Sequence, residues 1–566
     1  MQQKSRSGIP LSARNPGLYV KFASMRKVLS TAEMRQVDRL TTETVFIPSV
    51  LLMEMAANSV VREITRCAAS NLANNKISVF CGKGNNGGDG FAISRILYLL
   101  GADVRVFLVF PPDQISGDAA TQYRIIRSLS ANRSAAGGRL ILNEGPSDRE
   151  IDAAFLSSDF VIDAIFGTGL TRPLSGLATS AASNAVFRRS QRPYLISVDV
   201  PSGLSTFISE RAEEAFRADL TVSFTAPKPE NVLPPFYRNN GELVIADIGS
   251  PVELIDSQPS QLYISGFEDA ARWLTATDFT QDSYKNRRGH LAIIAGSRDY
   301  SGAAVLSAAA AMRSGVGLVT LLVPEGIAEA VAARLPEEII LRTLPATKSG
   351  DLSASAAAKA VEVLSKADAL AVGCGLGHEP ETIAFVRDLL ANIDLPTVLD
   401  ADGLNALSPM DATLRALIAA RALVLTPHEG EFRRLLGRIG QLSDRVAAVR
   451  EFAVRNSAIL VLKGERVLIG DSSGRVVVNP TGNSGLGKAG NGDTLTGLVG
   501  GFVAQAASLG IDFQEAVLAA VFFAGIAGDI AEKHFGKRVM TASDVREAFA
   551  EAFRRIYGKA EVHSKW

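Results

Sequence analysis

The stretch Gly487-Lys-Ala-Gly-Asn-Gly-Asp-Thr-Leu-Thr-Gly497 places glycines, an acid and a hydroxyl directly before an apolar run. The run predicts a buried helix, and the glycines let the backbone turn tightly and approach a ligand. Free N–H groups at a helix start bind anions, and the helix dipole favours negative charge there. Asp493 lies inside this segment. We therefore interpret it as a base or ligand-orienting group, the alternative being a helix cap.

The composition is that of an ordinary globular protein, with 566 residues, 59 basic side chains and 59 acidic ones. The length favours about two to four domains. The balanced charge supports neither a nucleic-acid partner nor a membrane partner. Cys67, Cys81 and Cys374 form no Cys-x-x-Cys pattern, which favours a reducing compartment, and we expect a cytoplasmic protein.

The sequence that carries motifs begins near Met25. The residues before it include basic side chains and no acid, and they lack the apolar h-region of a secretory signal. A tail, an upstream start-codon artefact and a transit peptide are the alternatives for residues 1–24.

Short β-branched runs alternate with longer helical patterns along the chain, which is typical of parallel α/β domains. In the first half this pattern predicts a helix at Phe91–Leu100 and strands at Lys76–Cys81, Val104–Phe110, Phe160–Ala164, Tyr194–Val200, Leu220–Phe224 and Glu242–Ile248. In the second half it predicts strands at His290–Ala295, Leu318–Val323, Ala369–Val372, Thr397–Asp400, Ala422–Leu425 and Ala458–Leu462. A connector of mixed polarity at Ser250–Ser260 separates the two series, so we predict domains at 25–255 and 275–558.

The segment Gly82-Lys-Gly-Asn-Asn-Gly-Gly-Asp-Gly90 follows a predicted strand and precedes a predicted helix. The consecutive N–H groups of Asn85 to Asp89 are suited to a nest that binds phosphate. Polar loops also follow three later strands, at Gly167-Thr-Gly-Leu-Thr-Arg-Pro173, Asp199-Val-Pro-Ser-Gly203 and Thr225-Ala-Pro-Lys228. Because parallel strands end at one edge of a sheet, these loops should meet there.

Asn86, Asp163 and Ser202 would then present oxygen ligands to a cation, whose identity the residues leave open. Taken singly, Asp163 and Asp199 are equally well read as caps of loops. Four polar loops in one predicted domain favour the interpretation as a binding site.

These loops, in this order, resemble the NAD(P)H-hydrate epimerase domain, which has a Rossmann-like fold. The resemblance implies a potassium ion at Asn86, Asp163 and Ser202. Epimerisation requires the hydroxyl-bearing stereocentre at C6 of the damaged nicotinamide ring to become planar, and we expect Asp199 to be the acid/base group. The residues that the resemblance assigns to the hydrate are Asn85, Asn86, Gly87, Gly88, Asp89, Gly167, Thr168, Gly169, Leu170, Thr171, Arg172, Pro173 and Asp199.

The second half carries five further loops of candidate chemistry. They are Ala295-Gly-Ser-Arg-Asp-Tyr-Ser-Gly302, Gly373-Cys-Gly-Leu-Gly377, Leu399-Asp-Ala-Asp-Gly-Leu-Asn405, Leu425-Thr-Pro-His-Glu-Gly-Glu431 and Lys463-Gly-Glu-Arg-Val467. A single histidine is usually structural, and a single lysine is usually solvated. Lysine after a strand can also act as a point charge on phosphate.

Together with the opening segment, these loops resemble the ADP-dependent NAD(P)H-hydrate dehydratases, which have a ribokinase-like fold. Asn491 stands where that family has Ser or Thr, and Cys374 stands where it has proline. The resemblance implies substrate contacts at Ala303, Gly377, His428 and Asp493. It implies nucleotide contacts at Lys463, Gly464, Glu465, Arg466, Val467 and Gly492.

The resemblance implies a kinase-like first step, in which Asp493 deprotonates or orients the ring hydroxyl and ADP phosphorylates it. Elimination of phosphate then restores NAD(P)H, and Mg²⁺ would bridge the nucleotide phosphates. We expect a homo-oligomer whose substrates are the hydrates of NADH and NADPH (NADHX and NADPHX). The first half would supply the S epimer to the second half. The alternatives are a small-alcohol kinase with a fused nucleotide-binding sensor domain, and a first half that is a scaffold without catalysis.

Overall fold

The computed structural model describes residues 25–69, 72–73, 75–130, 134–170, 173–187, 193–205, 214–418, 421–438, 440 and 442–563. The chain divides after Ser260 into two compact units, and Gln261 begins the second. This division falls between the predicted domain limits of 255 and 275.

The first unit alternates strands and helices. Its strands are β1 (Arg26–Lys27), β2 (Lys76–Cys81), β3 (Asp103–Leu108), β4 (Arg139–Glu144), β5 (Phe160–Ala164), β6 (Tyr194–Val198), β7 (Leu220–Phe224) and β8 (Glu242–Ala246). Its helices are α1 (Thr31–Glu43), α2 (Ser49–Cys67), α3 (Asn85–Leu99), α4 (Gly117–Leu129), α5 (Asp148–Ser157), α6 (Leu177–Phe187), α7 (Pro229–Val232) and α8 (Val252–Asp256).

Strands β2 to β8 form one parallel sheet in the order β4-β3-β2-β5-β6-β7-β8. Apolar side chains cover both faces of this sheet. Ile77 and Val79 belong to a core that includes α2, α3 and α4 residues, whereas Phe80 belongs to one that includes Ile151 of α5 and Ala181 of α6. A sheet with helices on both faces is a three-layer Rossmann-like fold, as predicted.

The second unit begins with strand β9 and ends with helix α21. Its strands are β9 (Leu262–Ile264), β10 (His290–Ile294), β11 (Leu318–Pro324), β12 (Ile340–Leu344), β13 (Ala369–Val372), β14 (Thr397–Leu399), β15 (Leu423–Leu425), β16 (Ile459–Leu462), β17 (Leu468–Gly470) and β18 (Val476–Val478). Its helices are α9 (Phe267–Ala276), α10 (Ser301–Met312), α11 (Ala328–Ala332), α12 (Ala356–Leu364), α13 (Pro380–Ala391), α14 (Ala401–Asn405), α15 (Ala412–Ile418), α16 (Glu429–Leu436), α17 (Arg445–Asn456), α18 (Asn491–Leu509), α19 (Phe513–Phe535), α20 (Ala542–Glu547) and α21 (Phe549–His563).

These strands run in the order β9-β18-β17-β16-β15-β14-β13-β10-β11-β12. Neighbouring strands are parallel except at β17, which pairs antiparallel with both β16 and β18. The arrangement is the α/β sheet expected of the ribokinase-like fold.

Helix α18 packs against α10 at very short range. A Cβ on Gly497 would lie 2.0 Å from the backbone oxygen of Ser307, so only glycine permits this approach. Helix α19 is long and apolar enough to cross a membrane by length and composition, but 72% of its most apolar window is buried inside the unit. We describe it as a core helix.

The structure corrects several sequence predictions. Helix α3 begins at Asn85, six residues before the predicted Phe91, because Gly84 serves as its N-cap. The connector at Ser250–Ser260 contains the short helix α8. Among the described residues the prediction also omitted strands, namely β1, β4, β9, β12, β17 and β18.

Candidate active sites

The first candidate site lies where the strand order of the first sheet reverses, between β2 and β5. The loops after these two strands meet there. A Cβ on Gly82 would lie 1.9 Å from the backbone oxygen of Ile165, and one on Gly87 would lie 1.9 Å from that of Gly82. Glycine at 82 therefore lets the two loops approach each other, and glycine at 87 lets the first turn of α3 pack on the backbone of Gly82.

The residues Asn85, Asn86, Gly87, Gly88 and Asp89 form the first turn of α3, directly after the N-cap Gly84. Phosphate binding by their N–H groups stays a prediction. The N–H groups of the turn still point out of a helix N-terminus, which suits an anion.

Asp163 is wholly buried at the end of β5, and its carboxylate accepts four hydrogen bonds. Its donors are the Ser202 N–H at 2.8 Å, the Ser202 hydroxyl at 2.5 Å, the Ser197 hydroxyl at 3.0 Å and the Ile165 N–H at 3.3 Å. Burial raises the pKa of Asp163 to about 6, although these hydrogen bonds oppose the rise. Asp163 and Ser202 are thus brought together as predicted.

Asn86 is connected to Asp163 and Ser202 through the loop after β5. The Ser202 hydroxyl accepts a hydrogen bond from the N–H of Phe166 at 2.9 Å, and the next residue, Gly167, faces Asn86. A Cβ on Gly167 would lie 3.5 Å from Oδ1 of Asn86. Nδ2 of Asn86 is buried without a hydrogen-bond partner in the described part of the chain. Within the described ranges, no three His, Cys, Asp or Glu side chains are grouped to hold a metal ion.

Asp199 follows β6 and lies in the left-handed region at φ 66°, a strained backbone for a residue other than glycine. Its Oδ1 contacts the Lys228 ammonium at 2.5 Å and accepts a hydrogen bond from the Ser223 hydroxyl at 3.1 Å. Its Oδ2 faces the loop after β5, because a Cβ on Gly167 would lie 3.1 Å from it. One oxygen is therefore anchored and the other is turned toward the predicted substrate loop.

Two further carboxylates surround the Asp199–Lys228 pair. Burial raises the pKa of Asp89 well above its usual range, and the charges of Asp199 and Asp38 add to the rise. Asp38, on α1, keeps contact with solvent, yet the protein packed around it raises its pKa to about 6. Lys228 lowers both pKa values, so one buried ammonium partly offsets three carboxylates.

The rest of the predicted substrate loop is partly described. Gly167, Thr168, Gly169 and Leu170 follow β5, and the Thr168 carbonyl accepts a hydrogen bond from the Thr31 hydroxyl of α1 at 3.2 Å. Pro173 is exposed. Thr171 and Arg172 lie outside the described residues.

The second candidate site lies where the second sheet reverses its order, between β13 and β10, with α18 beginning beside it. Gly490 is the N-cap of α18 at φ 87°. The chain therefore turns through a conformation that glycine adopts easily, directly before the first helical N–H groups.

An ion pair lies against this helix start. The Lys463 ammonium contacts Oδ1 of Asp400 at 2.6 Å, and the Thr496 hydroxyl donates to Oδ2 of Asp400 at 2.6 Å. A Cβ on Gly492 would lie 3.5 Å from the Lys463 nitrogen, so the ammonium adjoins the first turn of α18. Burial acts to lower the pKa of Lys463, but the charge and hydrogen bond of Asp400 together with the charges of Glu431 and Cys374 outweigh it, and the pKa is raised.

Asp493 lies in the same first turn and makes no ion pair within the described ranges. Burial raises its pKa, the Cys374 thiol lowers it by a hydrogen bond, and the charge of Asp400 raises it further. Cys374 is itself buried, and its pKa lies well above the usual value for a thiol. The thiol is therefore a neutral neighbour of Asp493.

Asn491 begins α18. Its amide Nδ2 donates to the Lys488 carbonyl at 3.3 Å, whereas its Oδ1 is buried without a partner in the described chain.

Ala303 and Gly377 lie beside the loop after β13. A Cβ on Gly375 would lie 3.0 Å from that of Ala303. The Gly377 N–H donates to Asp402 at 3.0 Å. Burial raises the pKa of Asp351, which lies against Gly377, and the carboxylates of Glu379, Asp299 and Asp402 raise it further.

His428 caps α16. Its Nδ1 accepts hydrogen bonds from the N–H groups of Gly430 at 2.9 Å and Glu431 at 3.3 Å. These bonds place the ring proton of neutral His428 on Nε2. The ring is 56% exposed, and the backbone of His428 bridges to Lys463.

The other residues assigned to the nucleotide form the turn between β16 and β17. Gly464 lies beside Arg445, which donates to the Glu465 carbonyl at 3.0 Å. Arg466 is buried and donates to the Pro480 carbonyl at 2.6 Å. The Val467 carbonyl accepts from Asn479 at 2.9 Å. Of this group, Lys463 and Gly464 open the turn, and the Lys463 side chain lies against α18.

Sequence reasoning assigned no individual role to four residues of these sites: Asp38, Lys228, Asp400 and Thr496. Lys228, Asp400 and Thr496 lie in segments that it singled out, and the positions of Lys228 and Asp400 after strands could have given them a role. Asp38 lies in an ordinary amphipathic helix, which carries no such signal.

Known proteins resemble the chain along most of its length. The family model described as NAD(P)H-hydrate dehydratase matches residues 291–550, and the one described as YjeF-related protein N-terminus matches residues 49–230. A bifunctional NAD(P)H-hydrate repair enzyme of Moorella thermoacetica is 37% identical over 94% of this chain and 98% of its own. The corresponding enzyme of Thermofilum pendens is 33% identical over 94% and 97%. The ADP/ATP-dependent NAD(P)H-hydrate dehydratase of Bacillus subtilis, crystallised with ATP and Mg²⁺, is 28% identical over 51% of this chain and 97% of its own, with a TM-score of 0.44.

Proposed function

We propose residue roles from one premise: the chain belongs to the family of bifunctional NAD(P)H-hydrate repair enzymes. The enzyme epimerises the R and S forms of hydrated NAD(P)H and dehydrates the S form to NAD(P)H, using a nucleotide. The observation that carries this function is similarity over nearly the whole chain to an enzyme described as a bifunctional NAD(P)H-hydrate repair enzyme. Small-molecule hydrates and ADP are the partners that this function requires.

Epimerisation is assigned to the first unit, with Asp199 as acid/base group. Oδ1 of Asp199 is held by Lys228 and Ser223, which leaves Oδ2 turned toward the Gly167 loop. A proton moved at Oδ2 would allow the C6–O bond to break and reform on the other face of the ring. The first turn of α3, from Asn85 to Asp89, would bind a phosphate of the hydrate through its N–H groups.

The loop residues from Gly167 to Pro173 would line the same substrate. Thr168, Gly169 and Leu170 continue from the glycine that faces Asp199. A substrate between this loop and α3 would place its ring near Oδ2 of Asp199.

A potassium ion fits the donor set of Asp163, Ser202 and Asn86. The buried Asp163 carboxylate has no basic side chain among the described groups that shift its pKa, so a bound cation would supply the missing charge. The Ser202 hydroxyl and the Asn86 amide provide neutral oxygen ligands. When bound, the ion would stabilise negative charge near the Asp199 site.

Dehydration is assigned to the second unit. Asp493 would accept the proton of the C6 hydroxyl as ADP transfers its terminal phosphoryl group to that oxygen, leaving AMP. The N–H groups at Gly492 and the neighbouring helix start would stabilise the transferring group, and Lys463 would neutralise phosphate charge. Loss of phosphate and of the adjacent ring proton then restores the double bond.

Magnesium fits the acidic edge of this site. Mg²⁺ is held mainly by nucleotide phosphates and water, and Asp351 and Asp402 supply surrounding negative charge. When bound, the ion would offset the charge of the transferring phosphoryl group. Ala303, Gly377 and the exposed Nε2 edge of His428 would contact the hydrate, and the Lys463 to Val467 turn would contact the nucleotide.

The test is the recovery of reduced-nicotinamide absorbance from a mixed R and S NADH-hydrate sample, with and without ADP. Nucleotide-dependent recovery beyond the S fraction, faster than spontaneous epimerisation, is the expected result. Recovery that stops at the S fraction would leave the first unit a binding module. No recovery with ADP or ATP would favour a kinase that acts on a small alcohol.

A further inference from the structure

Asp400 is the most completely enclosed acid of the second site. Its residue is 1% exposed at the end of β14, and its two carboxylate oxygens have different partners. Oδ1 contacts the Lys463 ammonium at 2.6 Å, and Oδ2 accepts from the Thr496 hydroxyl at 2.6 Å. Neither oxygen is left turned toward a substrate or a metal ion without a protein partner.

These contacts join three parts of the fold at one point. Asp400 follows β14, Lys463 follows β16, and Thr496 lies one turn inside α18. A Cβ on Gly492 would lie 3.5 Å from the Lys463 nitrogen and 3.7 Å from Oδ2 of Asp400. The ion pair is therefore held against the first turn of α18.

We propose that Asp400 and Thr496 are positioning residues that hold the Lys463 ammonium beside the N-terminus of α18, where it meets a nucleotide phosphate. Thr496 orients the carboxylate, and the carboxylate orients the ammonium. A lysine side chain is flexible, so an anchored ammonium loses less entropy when phosphate binds. This inference rests on the proposed dehydratase activity.

The arrangement also sets the charge of Lys463. The groups that face its ammonium are Asp400 after β14, Glu431 on α16, the Cys374 thiol after β13 and Asp493 on α18. Burial alone would lower the pKa of Lys463, and Asp400 is the largest of the groups that raise it. Without that carboxylate, Lys463 should lose its proton at a lower pH.

The experiment measures ADP-dependent dehydration by full-length Asp400→Asn as a function of pH. We expect KM for ADP to rise roughly 10- to 100-fold, the effect of losing one charge-assisted contact. We also expect the alkaline limb of kcat/KM for ADP to move down by about one pH unit or more. The Mg²⁺ concentration needed for half-maximal rate should stay unchanged.

Thr496→Val and Thr496→Ser test the same contact without changing charge. Val has the shape of Thr but no hydroxyl, so KM for ADP should rise several-fold, and Ser should restore it. If Asp400→Asn does not fold, this pair decides the matter. The control is Asp471→Asn, which removes a buried carboxylate that pairs with Arg475 at 3.0 Å in the turn between β17 and β18, away from the Asp400–Lys463 contact itself.

The outcomes separate the two proposals. An unmoved alkaline limb with an unchanged KM for ADP in Asp400→Asn would overturn the positioning role. A raised Mg²⁺ requirement would also overturn it, because Asp400 would then serve the metal. If the wild-type enzyme shows no ADP-dependent dehydration, the proposed dehydratase function itself is contradicted.

Discussion

The two candidate sites place a lysine differently relative to the proposed catalytic acid. In the first unit, Lys228 contacts Asp199 itself at 2.5 Å. In the second unit, Lys463 contacts the neighbouring Asp400 at 2.6 Å, and Asp493 makes no ion pair in the described chain. Both acids nonetheless lie where the carboxyl ends of parallel strands meet.

The difference matches the chemistry proposed for each unit. A lysine on Asp199 fixes one carboxylate oxygen and leaves the other for a proton that must be both taken and returned. A lysine kept on Asp400 leaves Asp493 unpaired, and burial raises the pKa of Asp493. Asp493 is therefore a stronger proton acceptor, while the ammonium remains beside the helix start for phosphate.

Asp493→Asn should produce the largest change and affect one site only. Loss of the proposed base should lower the dehydration rate by about 10³-fold, within the usual range for general base catalysis. The measurement is absorbance recovery from the S hydrate with ADP. Epimerisation of the R hydrate by the same preparation is the control, and dehydration near the wild-type rate would remove Asp493 from the mechanism.

Asp199→Ala should reverse this pattern, with epimerisation lost by about 10²-fold or more and dehydration of the S hydrate retained. Because Lys228 is buried, its ammonium would be left unpaired at a cost of about 3–5 kcal/mol. Asp199→Ala with Lys228→Met should therefore recover part of the free energy of unfolding but none of the activity. Denaturant titration measures the free energy of unfolding of both variants. Equal values for the single and the double variant would show that the unpaired Lys228 ammonium carries no such cost.

Potassium should raise the free energy of unfolding of the first unit but not that of the second. A ligand at 100 times its Kd adds about 2.7 kcal/mol to the free energy of unfolding. We expect a higher Tm in potassium chloride than in tetramethylammonium chloride at equal ionic strength. Ser202→Ala should abolish the difference, and an equal gain in that variant would place the ion elsewhere.

Asp38→Asn should have the smallest effect, and its sign depends on pH. The folded-state pKa of Asp38 is raised from 3.8 to about 6, so the folded protein disfavours the charged carboxylate. Stability is therefore lost in the wild type as pH rises from about 4 through 6. The neutral Asn should match the wild type below pH 4 and exceed it slightly above pH 6, as followed by urea unfolding; a gain that appears only below pH 4 would contradict the raised pKa.

Much of the fold could be predicted from local pattern. Strands β2, β5, β7 and β13 have the predicted bounds, because each is a short apolar run between turn residues. Strands β17 and β18 were missed because no helix separates them from each other or from β16, so the alternation of strands with helices that guided the prediction is absent there.

The sequence by itself determined the two α/β units, the glycine-rich starts of α3 and α18, and the positions of Asp163, Asp199, Asp493 and Lys463 after strands or at a helix start. These follow from neighbours along the chain, since turns, caps and strand ends are local features.

Only the tertiary structure decided which charges meet. Lys228 pairs with an acid 29 residues away, and Lys463 pairs with one 63 residues away. It also decided that the His428 ring caps α16 and that Asp38 joins the first site. Such contacts depend on strand order and on helices laid across the sheet, and the energy that selects them arises from burial, which no local pattern encodes.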